Sequence, residues 1–521
     1  EKEILQADDL AGLSHEQLLR FYRTMLTSRK IDEREISLRK QNKTFFQISG
    51  AGHEAIGVAI AEHCRPGSDW FFTHYRDRAL VLSLGQTPLD HLLAAVGSGD
   101  DPATGGRQMP CHFSDVRLNI ASSSSVVATQ FLQAVGAAEA DTKISNIPGL
   151  QDLIHSFDED EIVLVCSGEG QTSEGEFWES LNTACNLSLP IVFVIEDNEY
   201  AISVPVEVQT AGGSISQLVS GFPNLYIVEC DGTDIVDSYR AAGAAITHAR
   251  KQRAPAFIHA HCTRPHSHSM SDDERAYRTE KELAAQDLRD PLTRTSTLLL
   301  ENQVTTAEEL EGLELEVGEE VASAADEALA SPQAGPETAM RYLFSEDSDP
   351  TSSDFDTEDD PQYGDDNLLT MVDLLNACIK SEMERDPRIT VFGQDIADAS
   401  REEALSEVKG KGGVFKVTHG LQKQFGSERV YNTPLAEANI IGRGIGQAMR
   451  GLRPVVEIQF FDYIWPAMNQ LRNELATIHY RSNGTYSAPL VVRTTYGGYL
   501  KGGAIYHSQT GETLFTHTPG I

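Results

Sequence analysis

The chain has 521 residues, and its 78 acidic residues outnumber 42 basic ones, which leaves a net charge of −36. The length predicts about three domains at roughly 150 residues each, and a charge of this sign excludes nucleic acid and anionic membranes as partners. No stretch approaches roughly 18 consecutive apolar residues, and residues 1–10 lack the order of a signal peptide. We therefore expect a cytoplasmic chain, or one whose leader has been removed.

The first half, residues 14–345, alternates helix-length segments with short apolar runs that are typical of strands. Strands separated by helices predict right-handed crossovers and a mostly parallel sheet, so this half is expected to be an α/β domain. Its last helix is predicted between Thr305 and Pro332, with an acidic outer face. The predicted strands are Ile162–Cys166, Ile191–Ile195, Leu225–Val228 and Ala256–Ala260.

A strongly acidic segment separates the two halves of the chain. Ten of the 22 residues from Ser345 to Asp366 are acidic, so the segment buries too little apolar surface to offset its ordering entropy. We predict that residues 346–366 form a disordered linker.

The second half, residues 367–521, repeats the α/β pattern. A helix is predicted over Leu368–Glu384. Because the pattern stops at Ile521 with no closing element, we expect this domain to be C-terminally incomplete and a further domain to be missing. Its predicted strands are Ile389–Phe392, Val455–Phe460 and Leu490–Arg493.

The most informative passage is residues 161–205, which predicts one strand, a glycine-rich turn, a helix and a second strand. Glu169 lies in the turn Gly168-Glu169-Gly170, and Asn198 follows the second strand. The carboxyl ends of parallel strands meet at one crevice, so the two side chains can converge there. A carboxylate, an amide oxygen and a backbone carbonyl suit magnesium, which shares its shell with phosphates. For the short motif alone, a strand-to-helix turn with a capping Asn is the alternative.

The full passage resembles the thiamine-diphosphate motif of 2-oxo acid dehydrogenase complexes, in the α chain of their decarboxylating first component. Further segments of the first half resemble the same chain, namely His74–Asp77, Gly106–His112 and Arg264–Asp273. After the acidic segment, the sequence resembles the β chain of that component at Thr433–Glu437, Glu457–Gln470 and Tyr506–Gln509. The resemblance implies two thiamine-diphosphate-binding, transketolase-like domains fused in one chain: an α-type domain that binds diphosphate and magnesium, and a β-type domain that binds the pyrimidine ring.

The resemblance also implies the catalytic residues. Glu437 would hydrogen-bond the pyrimidine of the cofactor and promote formation of its ylide. His268 and His507 would transfer protons while the acyl group passes to a lipoyl group. Without its motif, Glu437 is better explained as a carboxylate at a helix N-terminus, where the helix dipole favours it.

The remaining implied site residues bind the cofactor and cations. Magnesium would be held by Glu169, Asn198 and the carbonyl of Tyr200. Ser124, Thr129 and Gln130 resemble a potassium site, although a serine-rich loop explains them equally well. The implied cofactor-binding residues are Tyr75, Arg76, Ser125, Val127, Gly168, Glu169, Gly170, Asn198, Tyr200, His268, Glu437 and Tyr463.

The implied reaction is oxidative decarboxylation of a 2-oxo acid, followed by acylation of the lipoyl domain of a dihydrolipoyl acyltransferase. The motifs lean toward branched-chain substrates such as 3-methyl-2-oxobutanoate, and a homodimer is expected. Two features depart from the branched-chain pattern: Glu196, where an Arg is expected, and an extra stretch around Thr142–Glu159. The alternatives are a pyruvate or acetoin dehydrogenase component, a transketolase-type enzyme, and a non-catalytic scaffold.

Overall fold

A computed structural model describes residues 10–154, 156–349, 351–353, 368–498 and 500–521. The chain forms two compact units. The first contains the residues up to Ala138, Asp158–Pro336 and Arg481–Asn483; the second contains Glu139–Phe157, Glu337–Tyr480 and Gly484–Ile521. Most of the predicted linker, namely residues 350 and 354–366, lies outside the described residues. The disordered linker and the boundaries 14–345, 346–366 and 367–521 therefore stay predictions.

A five-stranded parallel sheet is the centre of the first unit. Its strand order is β1-β2-β3-β7-β6, and every neighbouring pair is parallel. All residues of β2 and β3 are buried, which explains why these strands are unbroken apolar runs rather than alternating patterns. The four predicted strands are present, whereas the three-residue β1 is too short to leave a sequence pattern. The strands are β1 (Trp70–Phe72), β2 (Val163–Gly168), β3 (Ile191–Asp197), the short β4 (Tyr200–Ala201) and β5 (Val204–Pro205), β6 (Tyr226–Cys230) and β7 (Ala256–His261).

Twelve α-helices are described between His15 and Ala330. Helix α12 (Ala307–Ala330) begins after Thr306, whose side chain forms a capping box with Glu309, and it buries Val317 and Val321. The helices are α1 (His15–Lys40), α2 (Glu54–His63), α3 (Arg78–Leu84), α4 (Pro88–Val96), α5 (Thr129–Asn146), α6 (Gly175–Leu187), α7 (Val206–Gln209), α8 (Ile215–Val219), α9 (Ile235–Gln252), α10 (Glu280–Asp287), α11 (Pro291–Glu301) and α12 (Ala307–Ala330).

The second unit contains a smaller parallel sheet in the order β11-β10-β8-β9. With both main sheets parallel, the predicted α/β class is confirmed for each half of the chain. The elements are α13 (Met371–Arg385), β8 (Ile389–Gly393), α14 (Leu421–Phe425), β9 (Val430–Asn432), α15 (Glu437–Met449), β10 (Arg453–Ile458), a π-helix (Asn469–Leu475), α16 (Ile478–Arg481), β11 (Val491–Thr494) and α17 (Glu512–Thr516).

Residues 139–157 belong to the second unit, although they precede β2 in the chain. Arg443 donates two hydrogen bonds, of 2.9 and 2.8 Å, to the buried carboxylate of Glu139. Ile144 and Leu150 share a hydrophobic cluster with Leu452. The sequence predicted only a longer connection here, because the partners of this segment lie about 300 positions further along the chain.

Within the described residues, no helix combines the length and apolar character needed to cross a membrane.

Candidate active site

A cavity of about 300 Å³ opens at the carboxyl ends of β2 and β3. All ten cofactor-binding residues that the sequence predicts in the first unit line it. They come from five separate segments of the chain, which the parallel sheet and its loops bring together. The ten residues are Tyr75, Arg76, Ser125, Val127, Gly168, Glu169, Gly170, Asn198, Tyr200 and His268.

Glu169 lies on the floor of this cavity, in the tight turn that follows β2. A Cβ added to Gly170 would lie 2.5 Å from the Cβ of Ala201, so this position of the turn requires glycine. Glu169 is 2% exposed. Burial, and secondarily the charge of Asp197, raises the pKa of the Glu169 carboxyl to about 7. Its Oε1 atom has no hydrogen-bond partner among the described residues.

Asn198 is oriented by a buried chain of hydrogen bonds. Its Nδ2 atom donates to Nε2 of His53 at 3.3 Å, and Nδ1 of His53 donates to Glu196 at 2.7 Å. Burial lowers the pKa of His53 to about 3, which keeps the imidazole neutral and able to accept at Nε2. These hydrogen bonds engage the amide nitrogen of Asn198 and leave its Oδ1 atom buried without a partner among the described residues.

The two unpartnered oxygens suit a hard cation. A buried oxygen without a hydrogen bond is costly, and oxygen donors are what magnesium prefers. Glu169 and Asn198 line the same cavity as Tyr200, whose carbonyl is the third predicted ligand. The residues present therefore fit the predicted magnesium ion.

A basic group lies beside these oxygens. Arg76 is buried, and its Nη2 atom contacts Nδ1 of His268 at 3.2 Å and the His268 carbonyl at 3.0 Å. Burial, followed by the charges of Arg76 and Arg264, lowers the pKa of His268 to about 4. Tyr75 packs edge-on against His268, with ring centroids 6.2 Å apart. A guanidinium and a neutral imidazole together can donate hydrogen bonds to phosphate oxygens.

Sequence reasoning missed several residues of this cavity. His74 lines it and packs against Tyr75 with the rings tilted by 48° and their centroids 4.0 Å apart, and its buried Nε2 atom has no partner among the described residues. His112 also lines it and contacts the Oγ atom of Ser125. His53 lies outside every recognised motif, and the sequence singled out Glu196 only as a departure from the branched-chain pattern, yet both residues orient Asn198. Only their buried hydrogen bonds reveal this role.

The three residues of the predicted potassium site lie in the loop before α5 and at its start. Ser124 Oγ accepts a hydrogen bond from the amide of Val126 at 3.1 Å, and Thr129 donates to the Val126 carbonyl at 3.0 Å. Gln130 donates to the Cys166 carbonyl at 3.2 Å and to Gln171 at 3.0 Å. These contacts stabilise the loop, and the potassium site stays a prediction.

The second unit contains the other predicted catalytic residues. Glu437 is the first residue of α15 and is half-buried, at the helix end where the dipole favours a carboxylate. His507 Nδ1 donates to the Gly503 carbonyl at 3.2 Å, so Nε2 accepts from the Tyr463 hydroxyl at 2.6 Å. The structure thus brings Tyr463 and His507 together.

The fold and the cavity define the class of α/β domains that bind thiamine diphosphate at the carboxyl ends of a parallel sheet. Two family models agree: "Dehydrogenase E1 component" matches residues 22–337, and "Transketolase, pyrimidine binding domain" matches residues 368–521. The chain belongs to the dehydrogenase E1 component family, that of thiamine-diphosphate-dependent first components of 2-oxo acid dehydrogenases, with an α-type and a β-type domain fused.

Curated relatives match each half separately. The 2-oxoisovalerate dehydrogenase subunit alpha of Bacillus subtilis is 34% identical over 333 residues, which cover 64% of this chain and 97% of that protein. The beta subunit of the same organism is 49% identical over 155 residues, 30% of this chain and 43% of that protein. The pyruvate dehydrogenase E1 component subunit beta of Leifsonia xyli is 42% identical over 153 residues, 29% of this chain and 42% of that protein. The chain thus spans less than half the length of these β subunits.

Proposed function

We propose that this chain decarboxylates a branched-chain 2-oxo acid, such as 3-methyl-2-oxobutanoate, and transfers the acyl group to the lipoyl domain of a dihydrolipoyl acyltransferase. The observation that carries the proposal is the convergence of ten predicted residues on one cavity, beside the Glu169 and Asn198 oxygens that have no hydrogen-bond partner in the described part of the chain. Thiamine diphosphate, when bound, supplies a nucleophilic carbon and an electron sink for the decarboxylation.

In the first unit, the chain's own residues would hold charge and exclude water. Glu169, Asn198 and the Tyr200 carbonyl would hold magnesium. Tyr75 and Arg76 would bind diphosphate oxygens, a role that the burial of Arg76 favours because a buried guanidinium attracts anions strongly. The neutral His268 can accept a proton near pH 7, because its imidazole is not already protonated.

In the second unit, Glu437 would hydrogen-bond the pyrimidine ring of the cofactor and promote the proton shift that activates it. His507 would serve the later proton transfer to the lipoyl sulfur. Its hydrogen bonds to Gly503 and Tyr463 fix the ring orientation and the tautomer, which supports a role in directed proton transfer.

The branched-chain substrate is supported by two relatives named 2-oxoisovalerate dehydrogenase, one for each half of the chain. Pyruvate is the nearest alternative, because a pyruvate dehydrogenase subunit is 42% identical to the second half. Acetoin cleavage and transketolase-type chemistry would use the same magnesium site without a lipoyl partner. The homodimer and the cytoplasmic location stay predictions.

The test is a parallel assay of the purified chain with thiamine diphosphate, magnesium and a dye electron acceptor. We expect kcat/KM for 3-methyl-2-oxobutanoate to exceed the values for pyruvate and acetoin by about tenfold or more, the discrimination that one or two methyl groups in an apolar pocket provide. A preference for pyruvate or acetoin would overturn the branched-chain assignment.

Two further measurements separate the reaction classes. Adding an isolated lipoyl domain should give an acylated lipoyl group by mass spectrometry; dye reduction without acylation would favour the acetoin or transketolase alternatives. Calorimetry with thiamine diphosphate and magnesium tests the scaffold alternative, because a scaffold would bind neither.

A further inference from the structure

A second cluster of ionisable side chains lies at the carboxyl ends of β3 and β7, outside the cavity described above. Asp197 and His261 are paired neighbours on the two strands, and His259 lies two residues before His261 on the same strand face. One donor atom from each of the three lies within 4.8 Å of the other two. The Asp197 Oδ2 to His259 Nε2 distance is 3.0 Å. The cluster therefore joins two imidazoles and a carboxylate at one point.

Contacts around the cluster determine which nitrogen of His259 is free. Ser216 donates its hydroxyl proton to Glu229, so it accepts from Nδ1 of His259, which lies 3.0 Å away. In a neutral His259, the lone pair of Nε2 then faces the Asp197 carboxylate. Two lone pairs at this distance repel each other, and a positive charge between them removes the repulsion.

A proton on Nε2 of His259 would remove the repulsion between His259 and Asp197, but it would not involve His261. A metal ion uses all three. The Nδ1 contact to Ser216, which itself bonds Glu229, is the outer-sphere arrangement that orients metal-binding histidines. Donor atoms around a tetrahedral zinc ion lie about 3.4 Å apart when the bonds are about 2.1 Å long, and the observed 3.0 Å is within about 0.4 Å of this distance.

We infer that Asp197, His259 and His261 bind a divalent transition-metal ion such as Zn²⁺, with Glu229 beside the open coordination position. The Glu229 Oε2 to His261 Nε2 distance is 3.5 Å, and the two side chains are 49% and 44% exposed, so the ion can enter from solvent. Two imidazoles favour Zn²⁺ over Mg²⁺, which prefers oxygen ligands.

This site differs from the predicted magnesium site in its ligands. Asn198 lines the cavity, whereas Asp197, His259 and His261 do not line it. Arg289 donates to the His261 carbonyl at 2.9 Å, and its guanidinium lies 3.6 Å from both Glu199 and Asp231, so its charge is already compensated. Zn²⁺ binding therefore does not depend on the proposed decarboxylase function.

The experiment is calorimetric titration of the whole chain with Zn²⁺, after removal of metals and saturation with thiamine diphosphate and Mg²⁺. We expect one Zn²⁺ per chain, and Co²⁺ in its place should show the visible absorption of a four-coordinate ion with nitrogen ligands. His261→Ala should weaken binding by about a hundredfold or more, because it removes a direct ligand. Ser216→Ala should weaken it by about tenfold, as expected for an outer-sphere partner.

The matched control is His419→Ala. His419 is similarly exposed, at 41%, and lies 3.4 Å from Asp398, but it has no second histidine in a described cluster. This variant should bind Zn²⁺ like the wild-type chain. Because His261 is half-exposed, its replacement should leave the circular dichroism spectrum unchanged. If His261→Ala does unfold, the Zn²⁺ affinity of Ser216→Ala tests the inference instead. Absence of Zn²⁺ binding at micromolar concentration, or equal loss in His419→Ala, overturns the inference.

Discussion

The predicted site residues have different surroundings in the two units. In the first unit they line a cavity whose Glu169 and Asn198 oxygens lack hydrogen-bond partners among the described residues. In the second unit, Glu437, Tyr463 and His507 are half-buried, and Tyr463 and His507 already satisfy each other. Unpartnered buried oxygens are prepared for a cation, whereas half-exposed, hydrogen-bonded groups are suited to exchanging protons. The comparison suggests that metal binding and proton chemistry can be impaired separately.

The largest expected effect is that of Glu437→Gln. Loss of a general acid or base should lower the decarboxylation rate by about 10²- to 10⁴-fold. Magnesium affinity, measured by calorimetry, should change by less than about twofold if the two units divide the work. A decarboxylation rate near wild type with the dye acceptor would exclude the proposed role of Glu437.

The converse variant is Glu169→Gln in the first unit. Removing a charged ligand should weaken magnesium binding by about a hundredfold, because a neutral amide oxygen attracts the ion far less than a carboxylate. Titration with Mn²⁺ followed by electron paramagnetic resonance measures this loss directly. If the variant binds the ion like the wild type, Glu169 is not a ligand.

The same variant should change the pH dependence of stability without ligands. The pKa of Glu169 is raised from 4.5 to about 7 in the folded chain, so its contribution to folding stability falls as pH rises from about 4.5 to 7. Glutamine does not titrate, so the free energy of unfolding of Glu169→Gln should rise by about 3 kcal/mol relative to that of the wild type between pH 4.5 and 7. Urea unfolding at pH 4.5 and 7.5 tests it, and a difference that is constant with pH would contradict the raised pKa.

An effect that is confined to one half-reaction is expected for His507→Ala in the second unit. Acyl transfer to a lipoyl domain should slow by about a hundredfold, and decarboxylation with the dye by much less, because the proton is needed only in the later step. Tyr463→Phe keeps the ring and removes the hydrogen bond to His507, so it should also slow acyl transfer more than decarboxylation, with acyl transfer about tenfold slower than in the wild type. If His507→Ala slows decarboxylation as much as acyl transfer, His507 has no separate role in the later proton transfer.

The smallest effect concerns the orientation of Asn198. His53→Leu removes the acceptor for its amide and should weaken magnesium binding by about tenfold, within the range for outer-sphere partners. His53→Gln can accept from Asn198 and donate to Glu196, so it should restore most of the affinity. His91→Leu is the control for loss of a buried histidine, since His91 is also buried and does not line the cavity. Similar weakening in His91→Leu would indicate a general packing effect.

Much of the fold could be predicted from local pattern. The strands β2, β3, β6 and β7 differ from their predicted bounds by at most two residues. Strands β2, β3 and β7 are buried and form distinct apolar runs between polar segments, whereas β6 is a partly exposed edge strand. The three-residue β1 could not be predicted, since so short a run has no period. Membership of residues 139–157 in the second unit depends on Glu139 and Arg443, an ion pair between distant segments that no local pattern contains.

The sequence by itself determined the chemical types at the predicted site: a carboxylate and an amide at strand ends, an arginine, and histidines in recognisable motifs. Those features are local, and a short segment is enough to identify them. Only the tertiary structure decided which side chains these residues contact. His53 beside Asn198, and His259 and His261 beside Asp197, come from segments without a common motif. Convergence of this kind depends on strand order and register, which are properties of the whole sheet.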